Sequence, residues 1–393
     1  MQFRTARRMA DIQASEIREI LKITERPEVI SFAGGLPAPE LFPIAELAEA
    51  NRLVLETQGQ QALQYSTTEG YGPLREWIAA RMNSRLGTSF GADNVLITHG
   101  SQQGLDLAGK VFLDESDTVI CESPTYLAAI SAFRAYGCRF TEVPTDDQGM
   151  SVLELAIQLA HRDPKLIYVI PDFQNPTGRS WSPERRRELA ELSAQYGVAV
   201  VEDNPYGELR FEGESLAAVA SYDEIGNVLC TGTFSKILSP GYRIGWIAGD
   251  KDIISKFVLV KQGVDLQCNT FAQMVIAKYL ELYDIDAHIE TIRQTYLRRR
   301  DLAVATMTES WPAAVTFTRP AGGLFLWAEL PAQVNAREVL TACLEQDVAF
   351  VPGGSFFPNG GHENTLRINF SNMSEDRIVE GLRRIGTILS GYC

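Results

Sequence analysis

The stretch that decides the fold is LIYVIPDFQNPTGRSWSPERRRELAELSAQYGVAVVEDN, residues 166–204. Its two ends are short apolar runs rich in β-branched residues, which is typical of buried strands. The middle part carries apolar residues at helical spacing and ends at Gly197, a turn signal. A strand, a helix and a second strand in this order predict two parallel strands joined by a crossover helix.

The same alternation continues on both sides of this unit, with strand-like runs VLITH (95–99), TVICES (118–123), NVLCTG (227–232) and RIGWIAG (243–249). It predicts an α/β fold with a mostly parallel sheet. From about residue 285 a long charged helix precedes further strands and helices, which predicts a smaller α+β domain. We expect three parts: an N-terminal helix and arm at 1–50 that belongs to the small domain, a large domain at 51–284, and the C-terminal small domain at 285–393.

Composition and charge exclude several classes of protein. The 393 residues include 36 Lys and Arg against 50 Asp and Glu, a net charge of −14, which disfavours nucleic acid as a partner. Six dispersed cysteines and four histidines show no paired spacing, so neither a disulfide framework nor a metal site is predicted. No apolar run is long enough for a signal peptide or a membrane span, and we expect a cytoplasmic protein without a membrane partner.

Polar residues that follow the predicted strands are candidates for a ligand site, because ligands in open α/β sheets gather beyond the carboxyl ends of strands. After VLITH, the sequence GSQQG (100–104) opens a helix whose N–H groups and dipole can hold a phosphate. It is not a Walker loop, and GYGPLR (70–75) is a poor match for the dinucleotide fingerprint. Taken alone, the turn could also be an ordinary helix start.

The strand VAVVED (198–203) ends in a carboxylate. Asp203 ends the strand VAVVED, and Tyr206 follows three residues later. A buried carboxylate needs a cationic or hydrogen-bonding partner. The residue is therefore either an Asx turn before Pro205 or a carboxylate that keeps a heterocyclic nitrogen protonated.

The following strand ends in a turn with an amine. Thr233, Ser235 and Lys236 come directly after this strand, and Arg243 precedes the next one. A lysine here could form a Schiff base, while the hydroxyls and the guanidinium suit a phosphate. An aldehyde cofactor that carries a phosphate would satisfy all of these groups.

These motifs resemble the pyridoxal-phosphate-dependent aminotransferases of fold type I, class I/II. The resemblance spans nearly the whole chain and rests on NPTG (175–178), the Asp203-x-x-Tyr206 strand end, the Ser235-Lys236 turn with Arg243, and Arg367 in TLRINF. It implies a large domain with a mostly parallel, seven-stranded-type sheet sandwiched by helices, plus the smaller α+β domain. SFAGGLPAPELFP (31–43) and FVPGGSFF (350–357) more narrowly resemble the branch that holds 2-aminoadipate, kynurenine and aromatic aminotransferases.

The resemblance implies roles toward pyridoxal 5′-phosphate. Lys236 would link to the cofactor aldehyde and then act as the base that moves the substrate proton. Asp203 would keep the ring nitrogen protonated, and the ring would be contacted by Tyr126, Asn175 and Tyr206. The phosphate would be held by Ser101, Gln102, Thr233, Ser235 and Arg243. Tyr65 would reach the phosphate of the neighbouring subunit, which implies a homodimer with shared active sites.

The substrate side of the site follows from the same resemblance. Arg367 would bind the α-carboxylate as a bidentate pair, a geometry that lysine cannot reproduce, and Asn175 would lie beside it. Arg18 would meet the distal carboxylate of dicarboxylic substrates, although a plain surface arginine is the alternative. Gly35 and Leu36 would cover the substrate as a lid.

We therefore predict a transaminase that moves the amino group of an L-amino acid to 2-oxoglutarate by a ping-pong mechanism. The donor could be 2-aminoadipate, an aromatic amino acid or a broader range, and the sequence does not decide among them. One alternative is a lyase or decarboxylase with the same cofactor, since fold does not decide reaction. A second is an effector-sensing regulator, which the acidic charge and the short chain ahead of residue 100 disfavour.

Overall fold

The computed structural model of the protein describes residues 4–10, 26 and 28–393. The strands of these residues, β1 to β14 in chain order, are Ile30–Ser31, Val95–Thr98, Thr118–Ser123, Arg139–Asp146, Gly149–Met150, Pro164–Val169, Ala199–Asp203, Val228–Thr233, Gly245–Ala248, Thr316–Phe317, Phe325–Glu329, Val348–Ala349, Val351–Pro352 and Thr365–Asn369. Their α-helices, α1 to α11, are Ile44–Ala62, Gly72–Leu86, Gly100–Phe112, Leu127–Arg134, Val152–His161, Pro183–Tyr196, Lys251–Gln262, Thr270–Leu282, Ile285–Ser310, Ala336–Leu344 and Glu375–Leu389.

The predicted crossover unit is present as β6, α6 and β7. The two strands are parallel neighbours, with Leu166 opposite Ala199. Ser182 caps α6 by accepting the N–H of Arg185, and Pro183 occupies the first turn, where its missing N–H costs nothing. Gly197 ends the helix in the left-handed region at a φ of 65°, a conformation that glycine adopts without strain.

The larger sheet has the strand order β2-β9-β8-β7-β6-β3-β4-β5 within the described residues. Strands β8, β7, β6, β3 and β4 are parallel neighbours, whereas β9 runs antiparallel to both β2 and β8. The prediction of an α/β fold with a mostly parallel sheet is confirmed. The difference from a seven-stranded sheet is β5, a two-residue edge strand too short to give a sequence pattern.

Buried apolar residues cover both faces of this sheet. Val95 and Ile97 belong to one buried cluster, and Leu96 between them belongs to the other. Successive side chains of a strand point to opposite faces, so each cluster packs helices against one face. No α-helix of the residues described above is long and apolar enough to cross a membrane.

A second, antiparallel sheet has the order β10-β11-β14-β13 and comes from the C-terminal third of the chain. Helices α9 and α11 pack against each other in the same part. The N-terminal arm joins it, because β1 pairs with β12 and places Ile30 opposite Val348. The three-part division at residues 50 and 284 stays a prediction, and the predicted helix at 11–24 lies outside the described residues.

Candidate active site

The strand order brings the predicted site residues to one edge of the large sheet. Carboxyl ends of parallel strands meet at the same edge, so the segments after β3, β6, β7 and β8 are neighbours. Strand β2 has the same direction as β8, and the antiparallel β9 begins at this edge. The edge therefore carries the segments of Tyr126, Asn175, Asp203, Lys236 and Arg243.

Lys236 lies in the turn after β8 with its amine directed toward the N-terminal arm. Its Nζ donates to the carbonyl oxygen of Gly35 at 2.7 Å. Desolvation lowers the pKa of Lys236 to about 8, and the positive charges of Arg367 and Arg243 act in the same direction. A lysine with this pKa has a substantial neutral fraction near pH 8, which a nucleophilic amine requires.

Asp203 is buried and accepts two hydrogen bonds from neighbouring strands. The Tyr168 hydroxyl donates to Oδ2 at 2.8 Å and the Thr231 hydroxyl to Oδ1 at 2.6 Å. Burial raises the pKa of Asp203, while the two hydroxyl donors oppose the shift. The sequence reading missed Tyr168 and Thr231, although the parallel register that sets Thr231 opposite Asp203 is a signal once the strand order is known.

A small polar cradle lies between β2, β8 and β9. The hydroxyls of Thr233 and Ser235 are 2.9 Å apart. A Cβ atom added at Gly100 would lie 2.6 Å from Nη2 of Arg243, and one added at Gly245 would lie 2.7 Å from the backbone N of Ser101. The two glycines therefore let a guanidinium and a helix start approach each other closely, and the donor set fits a phosphate.

Tyr206 and Asn175 flank the same space. Tyr206 is buried, packs edge-on against Phe325 at 5.8 Å between ring centroids, and has its pKa raised by desolvation with Tyr126 nearby. The side-chain oxygen of Asn175 accepts a hydrogen bond from Nη1 of Arg367 at 2.7 Å. Aromatic side chains and the Asn175 amide thus adjoin the Arg367 guanidinium and the Lys236 amine.

Arg367, on β14, lies between two aromatic rings from other segments. Its guanidinium carbon lies 4.2 Å from the ring centroid of Phe325 and 5.1 Å from that of Phe356. Nη2 donates to the carbonyl oxygen of Ala33 at 2.6 Å, and the buried Nε has no hydrogen-bond partner among the described residues. Desolvation lowers the pKa of Arg367 to about 10. A buried guanidinium with neutral acceptors and a spare donor can recruit a carboxylate.

For the remaining predicted site residues, the structure gives fewer contacts that tie them to the site. Leu36 is 47% exposed, and its carbonyl oxygen accepts from the Ser371 hydroxyl at 2.7 Å. Gln102 turns its side chain to the carbonyl of Ala128 at 3.1 Å, which leaves its backbone N–H as the group that could face a phosphate. Tyr65 is 79% exposed. Arg18 lies outside the described residues.

A second cluster beside the start of α3 has potential metal ligands. The ligand atoms of His99, Asp265 and Cys268 lie within 4.8 Å of one another. The Lys261 ammonium already donates to Oδ1 of Asp265 at 2.5 Å, and the Gln103 amide donates to Oδ2 at 2.6 Å. A buried lysine therefore supplies the positive charge that a metal ion would bring, and we assign no metal to this cluster.

The assembled groups define a chemistry. An amine with a lowered pKa, a buried carboxylate, a phosphate cradle and a buried guanidinium adjoin one space, which fits an aldehyde cofactor with a phosphate and a substrate with a carboxylate. The donor set of the cradle and the glycines beneath it meet the requirement for close backbone approach to a phosphate.

Comparisons with known proteins agree with this chemistry. The family described as aminotransferase class I and II matches residues 27–385. An aromatic-amino-acid aminotransferase of Thermococcus litoralis is 45% identical over 95% of this chain and 91% of its own length. The crystal structure of an alpha-aminoadipate aminotransferase from Thermus thermophilus, complexed with N-(5′-phosphopyridoxyl)-L-leucine, has a TM-score of 0.93 at 41% identity and covers 98% of this chain and 97% of the other.

A third likeness is to a Pyrococcus horikoshii kynurenine aminotransferase, with a TM-score of 0.95 at 41% identity over 99% of this chain and 97% of the other. The coverage is nearly complete in both directions, so the likeness extends to the arm and to both sheets. The resemblance inferred from the motifs is thereby confirmed. The chain belongs to the class I and II aminotransferase family, and it is a transaminase of fold type I.

Proposed function

We propose that the protein binds pyridoxal 5′-phosphate and transfers the amino group of an L-amino acid to 2-oxoglutarate by a ping-pong mechanism. The observation that carries the proposal is the Lys236 amine, with a pKa of about 8, in the same site as buried Asp203 and Arg367. Relatives named as aromatic-amino-acid and 2-aminoadipate aminotransferases support amino donors of these two classes. The bound cofactor supplies an electron-withdrawing ring that stabilises negative charge at the substrate Cα.

We propose the following roles for the side chains of the site. Lys236 would hold the cofactor aldehyde through its Nζ until the amino acid replaces it there, and the freed amine would then move the proton at the substrate Cα, which its lowered pKa supports. Asp203 holds the proton on the ring nitrogen, with Tyr168 and Thr231 fixing the carboxylate. Tyr206 orients the ring from the side of its phenolic oxygen.

Two further side chains complete the ring site, and a separate set of groups holds the phosphate. Asn175 shares the orienting role with Tyr206, and Tyr126 stacks on the ring face. The proposed phosphate ligands are the backbone N–H groups of Ser101 and Gln102, the hydroxyls of Thr233 and Ser235, and the Arg243 guanidinium.

The substrate contacts are proposed from the same geometry. Arg367 binds the α-carboxylate, which takes the place of the neutral acceptors Ala33 and Asn175 on the guanidinium. Gly35 and Leu36 cover the substrate, supported by the hydrogen bond from the Lys236 amine to the carbonyl oxygen of Gly35. Arg18 remains our candidate for the distal carboxylate of dicarboxylic substrates.

We also infer a homodimer with shared sites. Tyr65 is one of several exposed apolar side chains near the chain segments 63–65 and 264–266, which are Leu63, Tyr65, Val264 and Leu266. The Gln267 side chain accepts the N–H of Ser66 and joins the two segments. Adjacent exposed apolar groups are typical of an interface. Within this surface, Tyr65 is the proposed contact to the phosphate bound by the partner subunit.

The absorption spectrum of the purified protein with pyridoxal phosphate tests the proposed function. We expect a near-visible band that L-glutamate bleaches and that 2-oxoglutarate restores, because two half-reactions must convert the cofactor back and forth. D-glutamate is the control and should leave the band unchanged. Release of ammonia or CO2 without a 2-oxo acid product would favour the lyase or decarboxylase instead, and absence of any band would contradict cofactor binding.

Replacing Arg367 with lysine is expected to raise the KM for the amino acid by about 10- to 100-fold, because an ammonium cannot form the bidentate pair with the carboxylate. The lysine keeps the positive charge, so the variant separates geometry from charge. Steady-state kinetics with L-glutamate give the KM, and the matching control is the amine analogue without an α-carboxylate. If the KM for this analogue rose in the variant by the same factor as the KM for L-glutamate, Arg367 would not act on the carboxylate.

A further inference from the structure

A buried carboxyl group without a role in the proposed chemistry lies behind the site. Glu122 is the second-to-last residue of β3 and is 1% exposed. Its Oε2 accepts the backbone N–H of Ile170 at 2.8 Å, and its Oε1 accepts the indole N–H of Trp181 at 2.9 Å. Both donors come from the chain between β6 and α6, so one side chain ties β3 to the next segment of the site.

The two segments that meet at Glu122 carry opposite walls of the proposed ring site. One runs from Glu122 to Tyr126, which is proposed to stack on the cofactor ring. The other runs from Ile170 to Asn175, which is proposed to orient the ring and which contacts Arg367. The carboxyl group of Glu122 therefore joins the two segments at the base of each.

A second bond joins the same segments nearer to the site. The side-chain amide of Gln174 donates to the carbonyl oxygen of Pro124 at 2.6 Å. Desolvation raises the pKa of Glu122 to about 8, whereas the donors Trp181, Ile170 and Gln174 lower it. The two N–H donors, one at each oxygen, bond the ionised form of the group, and the direction of these bonds constrains the two segments more than an apolar residue of the same size would.

We propose that Glu122 is a positioning residue that sets the separation of Tyr126 and Asn175, and through them the fit of the cofactor ring and of the amino-acid carboxylate. The inference rests on the proposed function, because the ring and the carboxylate are those assigned there. Glu122 contacts neither of them and acts through the two segments.

The variant Glu122→Gln tests this role. Glutamine has nearly the same volume but turns an NH2 group toward the N–H of either Ile170 or Trp181, which leaves one buried donor without an acceptor. We expect the apoprotein to bind pyridoxal phosphate about tenfold more weakly in an equilibrium titration above pH 8, where the wild-type carboxyl group is ionised and accepts both N–H groups. The circular dichroism of the near-visible band per bound cofactor should change, and the KM for L-glutamate should rise more than kcat falls.

Glu202→Gln is the matched control. Glu202 is also a fully buried strand glutamate, and it accepts two backbone N–H groups, those of Val219 and Ala220, at 3.1 Å each. We expect it to lower the Tm as much as Glu122→Gln does but to leave the cofactor titration and the circular dichroism unchanged. Trp181→Phe removes one donor to Glu122 and keeps an aromatic ring, so it gives a smaller change of the same sign even if Glu122→Gln fails to fold.

The outcomes are distinguishable in one set of titrations. Wild-type affinity and dichroism in Glu122→Gln, or equal changes in both glutamine variants, would overturn the positioning role alone. Failure of the wild-type protein to bind pyridoxal phosphate would overturn the proposed function and this inference with it. Weaker binding and altered dichroism confined to the Glu122 and Trp181 variants would support it.

Discussion

The variant Lys236→Ala is expected to lose amino transfer, with kcat/KM lower by at least about 10⁴-fold. One amine is proposed both to hold the cofactor and to move the proton at the substrate Cα, and alanine can do neither. The lowered pKa of about 8 supports this double use, since it leaves a larger neutral fraction near neutral pH than an ordinary lysine has. Formation of 2-oxoglutarate from L-glutamate, followed with an excess of a 2-oxo acid acceptor, gives the rate.

The control for this variant is Lys236→Arg, which keeps the positive charge but offers no nucleophilic amine. Both substitutions should be inactive to a similar extent, and both should keep folded protein by circular dichroism, because Lys236 lies in a turn and not inside a helix or strand. Activity within tenfold of wild type in either variant would contradict the assignment of Lys236.

Asp203→Asn is expected to lower kcat/KM by about 10²- to 10³-fold while the protein still binds the cofactor. Asparagine has the shape of aspartate but no charge, so it cannot stabilise a protonated ring nitrogen. The bonds from Tyr168 and Thr231 hold the carboxylate in place and favour its charged form, against the burial that raises its pKa. Steady-state kinetics and the cofactor spectrum of the variant measure the two parts of the prediction.

Tyr168→Phe separates charge from hydrogen bonding at this carboxylate. It removes one donor to Asp203 and leaves the charge, so we expect a loss of about tenfold, the lower end of what one hydrogen bond to a charged group contributes. A loss as large as that of Asp203→Asn would mean that the orientation of Asp203, rather than its charge, limits the reaction.

The sequence predicted the fold well where the signals are local. The crossover unit at 166–204 required only apolar periodicity and a glycine after the helix, and the structure has it with Gly197 in the left-handed region. The edge strand β5 was missed because two residues, Gly149 and Met150, carry no periodicity. The antiparallel direction of β9 could not be read either, since strand direction depends on connections and not on composition.

The site was predicted in part. Lys236, Asp203 and Arg243 stood out because each follows or precedes an apolar strand, and the strand order brings them to one edge. The donors Tyr168 and Thr231 were missed because their contact with Asp203 depends on which strands are neighbours. The roles of all these residues stay predictions; Arg18 lies outside the described residues, and the proposed target of Tyr65 belongs to another subunit.

The hydrogen bond between Ala33 and Arg367 joins residues 334 positions apart. At about 5 to 20 residues per second, a ribosome needs roughly 20 to 70 seconds to reach the arginine after it has made the alanine. The bond between Lys236 and Gly35 spans only 201 positions, but the arm that carries Gly35 is paired with β12, which is made later than Lys236. A chain stalled before β12 would therefore lack both the arm beside the Lys236 amine and the arginine that is proposed to bind the carboxylate.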